Sequence, residues 1–178
     1  DRRQTLYPSS QTDFVGDLSM TTAIFKTLLD PGKIQIRWMI RRDLSDVLSI
    51  ENRCFSEAAW TEEDFLSHMR SRNIIGQVCC ERGEDDRIIG HCIYKMHKRK
   101  LEILRIAVDP LRHGDGFGFA MLDKLKSKLS WDRRSKLVAH VPLDSKLCSW
   151  WKRQQFSGQW DRVEDQIKFI YHLPMEGK

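Results

Sequence analysis

Hydrophobic positions along this chain change period several times, and each change marks an element. After the turn signal Asp30-Pro31-Gly32, Ile34, Ile36 and Trp38 alternate with polar residues, the period-two pattern of a half-buried strand. From Leu44 to Arg53 the spacing becomes helical, with Leu44, Val47, Leu48 and Cys54 on the inward face and Asp43 as the expected cap. Thr61-Glu62-Glu63-Asp64 opens a second helix toward Arg72, Thr61 being its cap. Two strands, Ile74 to Glu81 and Arg87 to Met96, then flank the hairpin turn Gly83-Glu84-Asp85-Asp86.

The second half alternates strand and helix. An apolar strand from Ile103 to Val108 stops at Asp109-Pro110 and passes through Gly114, Gly116 and Gly118. It enters a helix whose Leu122, Leu125 and Leu129 share one face. A strand from Lys136 to Val141, a helix from Asp144 to Gln155, and strands near Gly158 to Val163 and Gln166 to Leu173 follow. The order is β-α-α-β-β-β-α-β-α-β-β, an α/β fold. Asp1 to Ser19 is polar without apolar period and precedes Met20, so residues 1–30 read as an extension, poorly ordered or not native before Met20. Residues 31–178 read as one domain.

Strand, glycine loop and helix together form an anion-binding arrangement. Glycine lets the backbone approach an anion, and the free amides and positive dipole end of the first helical turn point at its charge. A nucleotide P-loop is excluded because Phe119-Ala120 follow Gly118 where a lysine and a hydroxyl are needed. The dinucleotide fingerprint fails as well: the glycines fall as G-x-G-x-G, and Asp132 follows a helix instead of ending a second strand.

What remains, V-x-P-x-x-x-x-x-G-x-G after a strand, resembles the acyl-CoA pyrophosphate loop of the GNAT N-acetyltransferase family. The segment His113-Gly114-Asp115-Gly116-Phe117-Gly118 stands on that family's [QR]-x-x-G-x-[GA] pattern, with His113 in place of Gln or Arg. The element order matches the same family from about Ile34 to Leu173. The resemblance implies a mixed, twisted sheet splayed between its fourth and fifth strands, flanked by helices, with acetyl-CoA as cosubstrate and no metal. It implies that Ile106, Ala107 and Val108 pair with the pantetheine arm and that His113, Gly114, Asp115, Gly116, Phe117 and Gly118 hold the pyrophosphate. Asp144 stands at a further family position on the cofactor side.

A second segment, Phe55-Ser56-Glu57-Ala58-Ala59-Trp60-Thr61-Glu62-Glu63-Asp64-Phe65, is similar to the F-x-x-x-W-[ST]-x-x-x-F stretch of RimI-type enzymes, which acetylate the N-terminal amine of a ribosomal protein. As bare residues, Phe55, Trp60 and Phe65 read as core aromatics. The resemblance makes Phe55 and Trp60 part of an acceptor wall. RimI-type enzymes carry their base, an asparagine and an acidic tyrosine at positions that are here Ala139, Asp144 and Trp151, so both reactive side chains are missing. A second arrangement within the family puts the base eleven residues before the pyrophosphate motif, where this chain has Glu102. Read from its surroundings alone, Glu102 is equally a solvated carboxylate beside Lys98, Arg99 and Lys100. Tyr94 and Tyr171 fall at no family position for the acid, and a water is an alternative.

Composition narrows the classes. With 178 residues and 40% hydrophobic content the chain buries one full core. Five cysteines, among them adjacent Cys79-Cys80, read as reduced thiols of a cytoplasmic protein. The histidines lack metal-ligand spacing. No apolar run reaches membrane-span length, and Lys98-Arg99-Lys100 and Arg133-Arg134 lack the aromatic interleaving of a nucleic-acid site. The net charge of +5 suits CoA phosphates, an acidic substrate or a ribosomal surface alike. The expected activity is acetyl transfer from acetyl-CoA to a primary amine, foremost the N-terminal amine of a ribosomal or other protein. A small amine or lysine side chain is the enzymatic alternative, and a catalytically silent CoA-binding module the alternative of another class.

Overall fold

The computed structural model describes residues 34–83, 86–143 and 145–175. The expectations for residues 1–30 and for Asp144, and the centre of the Gly83–Asp86 turn, lie outside the described residues.

Seven strands form one sheet in the order β1-β2-β3-β4-β5-β7-β6. They are β1 (Ile34–Trp38), β2 (Ile74–Glu81), β3 (Arg87–Met96), β4 (Lys100–Val108), β5 (Lys136–Pro142), β6 (Ser157–Asp161) and β7 (Gln166–His172). Among the described residues four α-helices accompany them: α1 (Leu44–Phe55), α2 (Glu62–Met69), α3 (Phe117–Lys126) and α4 (Cys148–Arg153). Every strand pair is antiparallel except β4 with β5. The splayed mixed sheet expected from the sequence is therefore present. Parallel pairing joins only Lys100–Ile103 to Lys136–Ala139, and beyond it Leu104–Val108 lacks a β5 partner.

The register of β3 on β4 slips at this place, with Ile93 opposite Arg105 and Tyr94 opposite Ile103, so Leu104 is the extra residue of a bulge. The bulge turns Leu104 and Arg105 toward the α1–α2 face. Two apolar clusters result: one under α3 and α4, including Leu101, Ile103, Leu122, Leu125, Leu137 and Phe169, and one under α1 and α2, including Val47, Ile50, Phe65, Val78 and Ala107.

Thr61 caps α2 as its sequence suggests: its Oγ1 accepts from the Asp64 amide at 3.2 Å while Asp64 Oδ2 accepts from the Thr61 amide at 2.8 Å. Asp43 does not cap α1. Its carboxylate takes both ends of the Arg37 guanidinium, at 2.6 and 2.8 Å, and the Ile40 amide at 2.8 Å, which forms a 3-10 turn ahead of the helix. Three helices are shorter than their patterns: α3 ends at Lys126, which leaves Leu129 outside it, and α2 and α4 are cut at one end. α2 stops at Met69, where the Ser71 amide turns back to the His68 carbonyl at 3.0 Å and the Ile74 amide to the Ser71 carbonyl at 3.0 Å. The stretch expected as helix from Asp144 is helical only from Cys148, since Ser145 diverts the Leu147 amide to its own Oγ at 3.2 Å.

Candidate functional site

The splay of β4 from β5 opens a cavity of about 980 Å³. One wall is the unpaired edge of β4 at Ile106, Ala107 and Val108, and the mouth is the loop carrying His113, Gly114, Gly116, Phe117 and Gly118. The lining also includes Arg53, Phe55, Lys126, Trp150, Arg153 and Tyr171, drawn from α1, α3, α4 and β7. The sequence-derived cofactor residues thus meet in one place, apart from Asp115, which does not line the cavity, and Asp144, which is not described.

The loop has the geometry that anion binding requires. Gly114 and Gly116 take φ of +90° and +86°, left-handed values that side chains rarely tolerate, and Gly116 is the residue before the first turn of α3. The amides opening α3 have no intrahelical acceptor, and Gly116 to Phe119, which carry them, line the mouth. At Gly118 a Cβ would come within 3.1 Å of the Trp150 ring, so helices α3 and α4 approach closely only because that position is bare.

Side chains brace the loop from behind. Asp109, almost fully buried, accepts from the Leu111 amide at 3.1 Å and pairs with Arg53 at 3.1 Å and Arg87 at 3.6 Å. Arg112 spans Glu81 at 2.6 Å and Asp115 at 2.8 Å and lies over the Phe117 ring. The Asp115 carboxylate is half exposed and paired with Arg112. His113 turns its Nε2 back onto the Val108 carbonyl at 2.8 Å.

Across the sheet, a buried carboxylate that the sequence did not single out organises the proposed acceptor wall. Glu51 on α1 is fully buried and has three partners from three elements. Its Oε1 accepts from the Trp60 amide at 3.0 Å and from Arg105 Nε at 2.6 Å, while Oε2 faces His91 Nε2 at 3.0 Å. Burial pushes its pKa up, but the bonds from His91, Arg105 and Trp60 outweigh this and hold it below the usual carboxylate range. Arg105 also donates to the Ala58 carbonyl and stacks 3.7 Å over Phe55 and 5.3 Å from Trp60. Phe65 is core, as its pattern suggested; Trp60 is half-buried, stacked on His68 at 4.3 Å, and Phe55 lines the cavity. The only sequence signal for this hub was Glu51 breaking an apolar helix face one residue after Ile50.

Glu102 precedes the bulge, on the sheet face away from α3. Its carboxylate lies 2.6 Å from His97 Nε2, 3.0 Å from Lys100 Nζ and 3.6 Å from His140 Nε2. Desolvation raises its pKa, yet Lys100 and then His97 more than offset it, leaving it below the ordinary value. These surroundings are those of an ion-paired carboxylate, and Glu102 does not line the cavity of the glycine loop. Ala139 and Trp151, where the RimI-type base and acid would be, are each 2% exposed in the α3-side core. The β5 side chain that faces Glu102 is the next one, His140.

Residues 44–145, more than half of the chain, match the family model described as Acetyltransferase (GNAT) family. Among solved structures, the ribosomal-protein-S18-alanine N-acetyltransferase from Escherichia coli is 18% identical, covering 82% of this chain and 97% of its own at a TM-score of 0.65. Ard1 from Thermoplasma volcanium is 16% identical, with coverage of 80% and 99% and a TM-score of 0.67. The PaiA N-acetyltransferase from Thermoplasma acidophilum, in complex with coenzyme A, is 16% identical, with coverage of 78% and 98% and a TM-score of 0.63. No curated protein sequence matches the chain. Among the described residues no helix is long and apolar enough to cross a membrane.

Proposed function

Because this chain belongs to the GNAT family and is an acyl-CoA-dependent acetyltransferase, we propose that its acceptor is the N-terminal amine of a protein or peptide. In this reading the amides of Gly114 to Gly118 hold the pyrophosphate, the β4 edge from Ile106 to Val108 pairs with the pantetheine arm, and Phe55 with Trp60 walls the acceptor. The acceptor amine gives up a proton toward Glu102, directly or through water, and attacks the thioester carbonyl. His97, 2.6 Å from the Glu102 carboxylate, is the imidazole within reach of that proton.

The observation that carries the reading is the aromatic wall: Phe55 lines the cavity, and Trp60 stands beside it at the same Arg105 guanidinium. Lys100 and His97 hold the Glu102 carboxyl below its ordinary pKa, which agrees with an acceptor that is already partly deprotonated. An α-amine, with a pKa of about 8, meets that condition far better than a lysine side chain at about 10.4. The aromatic wall resembling that of RimI-type enzymes supports the same choice.

Thiol release from acetyl-CoA tests it, with peptides bearing a free N-terminus, the same peptides blocked there but carrying lysine, and spermidine. Free N-termini should turn over fastest. Faster turnover of spermidine or of the blocked lysine peptides would replace the proposed acceptor, and CoA binding without turnover of any amine would favour the silent module. Glu102→Gln should lower kcat by about 10²–10⁴ with CoA affinity retained.

A further inference from the structure

Cleaving a thioester leaves a thiolate that needs a proton or a cation. Trp151 supplies neither, its ring being packed 4.9 Å from Phe156 and 6.0 Å from Phe169. On the cofactor side, several ionisable groups line the cavity without a part in the scheme above, among them Arg53, Asp123, Arg153 and Lys126. Lys126, the last residue of α3, lines the same cavity as Gly118 and Ile106. Phe119 and Asp123 line it too, on the same helical stripe as Lys126. The cavity therefore follows α3 from the glycine loop to its far end, about 15 Å at 1.5 Å per residue.

The surroundings of Lys126 are unusual for an ammonium. Its Nζ donates to the Gln154 carbonyl at 2.8 Å and lies 4.3 Å from the centre of the Tyr171 ring and 5.8 Å from that of Phe156. It forms no ion pair among the described residues. The charged or titratable groups near it are Asp123 on α3, Arg153 on α4 and Tyr171 on β7, while the β4 and β5 positions facing α3 (Ile103, Ile106, Leu137 and Ala139) are apolar. Burial lowers its pKa from the usual lysine value, with Asp123 opposing. A lysine so placed is a better-matched acid for a thiolate than a solvated one.

We propose that Lys126 gives the leaving sulfur its proton, a role that rests on acetyl-CoA occupying this cavity. In the step, the acceptor nitrogen forms a bond to the acyl carbon and the carbon–sulfur bond breaks, its electron pair leaving on sulfur. A proton passes from Lys126 Nζ to that sulfur, giving the free thiol, and the neutral lysine then takes a proton from solvent. The acceptor's own proton goes the other way, to Glu102.

A measurement that needs no acceptor tests this. The thiol of bound CoA is titrated by the ultraviolet absorbance of its thiolate in the wild type and in Lys126→Met, which keeps the packing over Tyr171. A cation at contact distance should make the bound thiol ionise about one pH unit or more lower in the wild type, with CoA affinity below that pH nearly equal in the two proteins. Lys126→Arg should keep the lowered ionisation, since its charge persists, but lose kcat, since guanidinium yields no proton. Identical titrations of bound CoA in wild type and Lys126→Met would overturn the proposal. So would acetylation of Lys126 itself on mixing with acetyl-CoA, because a neutral amine would then face the thioester. If the wild type binds no CoA, the cofactor reading fails first and the proposal with it, which separates the two.

Discussion

Replacing Glu51 tests whether one buried carboxylate holds the acceptor wall to the sheet. Glu51→Ala removes the acceptor for the Trp60 amide, for Arg105 Nε and for His91, and leaves the guanidinium partly buried with only the Ala58 carbonyl as a described hydrogen-bond partner. Breaking a buried ion pair from one side costs about 3–5 kcal/mol. At a urea slope of about 1–3 kcal/mol/M, the unfolding midpoint should fall by about 1 M or more. Glu51→Gln keeps the shape and can still accept one or two of these bonds, so its loss should be smaller. The pH dependence gives a second readout. A carboxyl whose folded pKa is depressed binds fewer protons folded than unfolded, so its stabilisation is present above its unfolded value, near 4.5, and is lost as pH falls through the folded value. Glu51→Gln should therefore flatten part of the acid side of the stability curve. Adding Arg105→Met to Glu51→Gln should cost less than the two single losses summed, because the second change removes the stranded charge. A Glu51→Gln protein with the wild-type urea midpoint and an unchanged acid limb would refute the reasoning.

Gly116→Val should cut CoA affinity at least tenfold by calorimetry, with a stability loss of about 1–2 kcal/mol from forcing a side chain into the left-handed region; unchanged affinity in a folded protein would count against the loop. Trp60→Ala should raise KM for the amine more than KM for acetyl-CoA, whereas equal effects on both would make Trp60 a packing residue. Burial pushes the thiols of Cys79 and Cys92 up to about 12, so a disulfide reagent should label neither in the native state and both after unfolding, as read by mass spectrometry.

The strand bounds were largely legible because alternation and turn residues act locally. Ile74–Glu81 and Arg87–Met96 stand where their patterns put them. Asp43 was misread since a cap and an ion pair look alike in sequence, and Arg37, six residues earlier, claims its carboxylate. The glycine loop was legible because its function demands backbone shape, and glycine records shape. Glu51 and Lys126 were not, because each draws its meaning from groups distant in the chain: Arg105 lies 54 residues from Glu51, and Gln154 lies 28 from Lys126. The bulge at Leu104 is likewise a property of a strand pair, and no single strand's alternation reveals it.

The seam between β4 and β5 is only four residues long, and it joins a four-stranded half-sheet, β1 to β4, to a three-stranded one, β5 to β7. Mechanically the two halves form a pair of jaws on a short hinge: the cluster under α1 and α2 stiffens the first, while the cluster under α3 and α4 carries residues of both, from Ile89 and Leu101 to Leu137 and Phe169. Past the hinge, the outward-facing backbone groups of Leu104–Val108 meet no neighbouring strand, and the Val108 carbonyl is already taken by Cys54 Sγ and His113 Nε2. A ligand arm laid along that edge would tie one jaw to the other as well as fill the gap. Its binding should therefore slow hydrogen exchange at Ile106 and Val108 and damp the relative motion of the two half-sheets, so that the enzyme is most rigid in the state that carries its acyl donor.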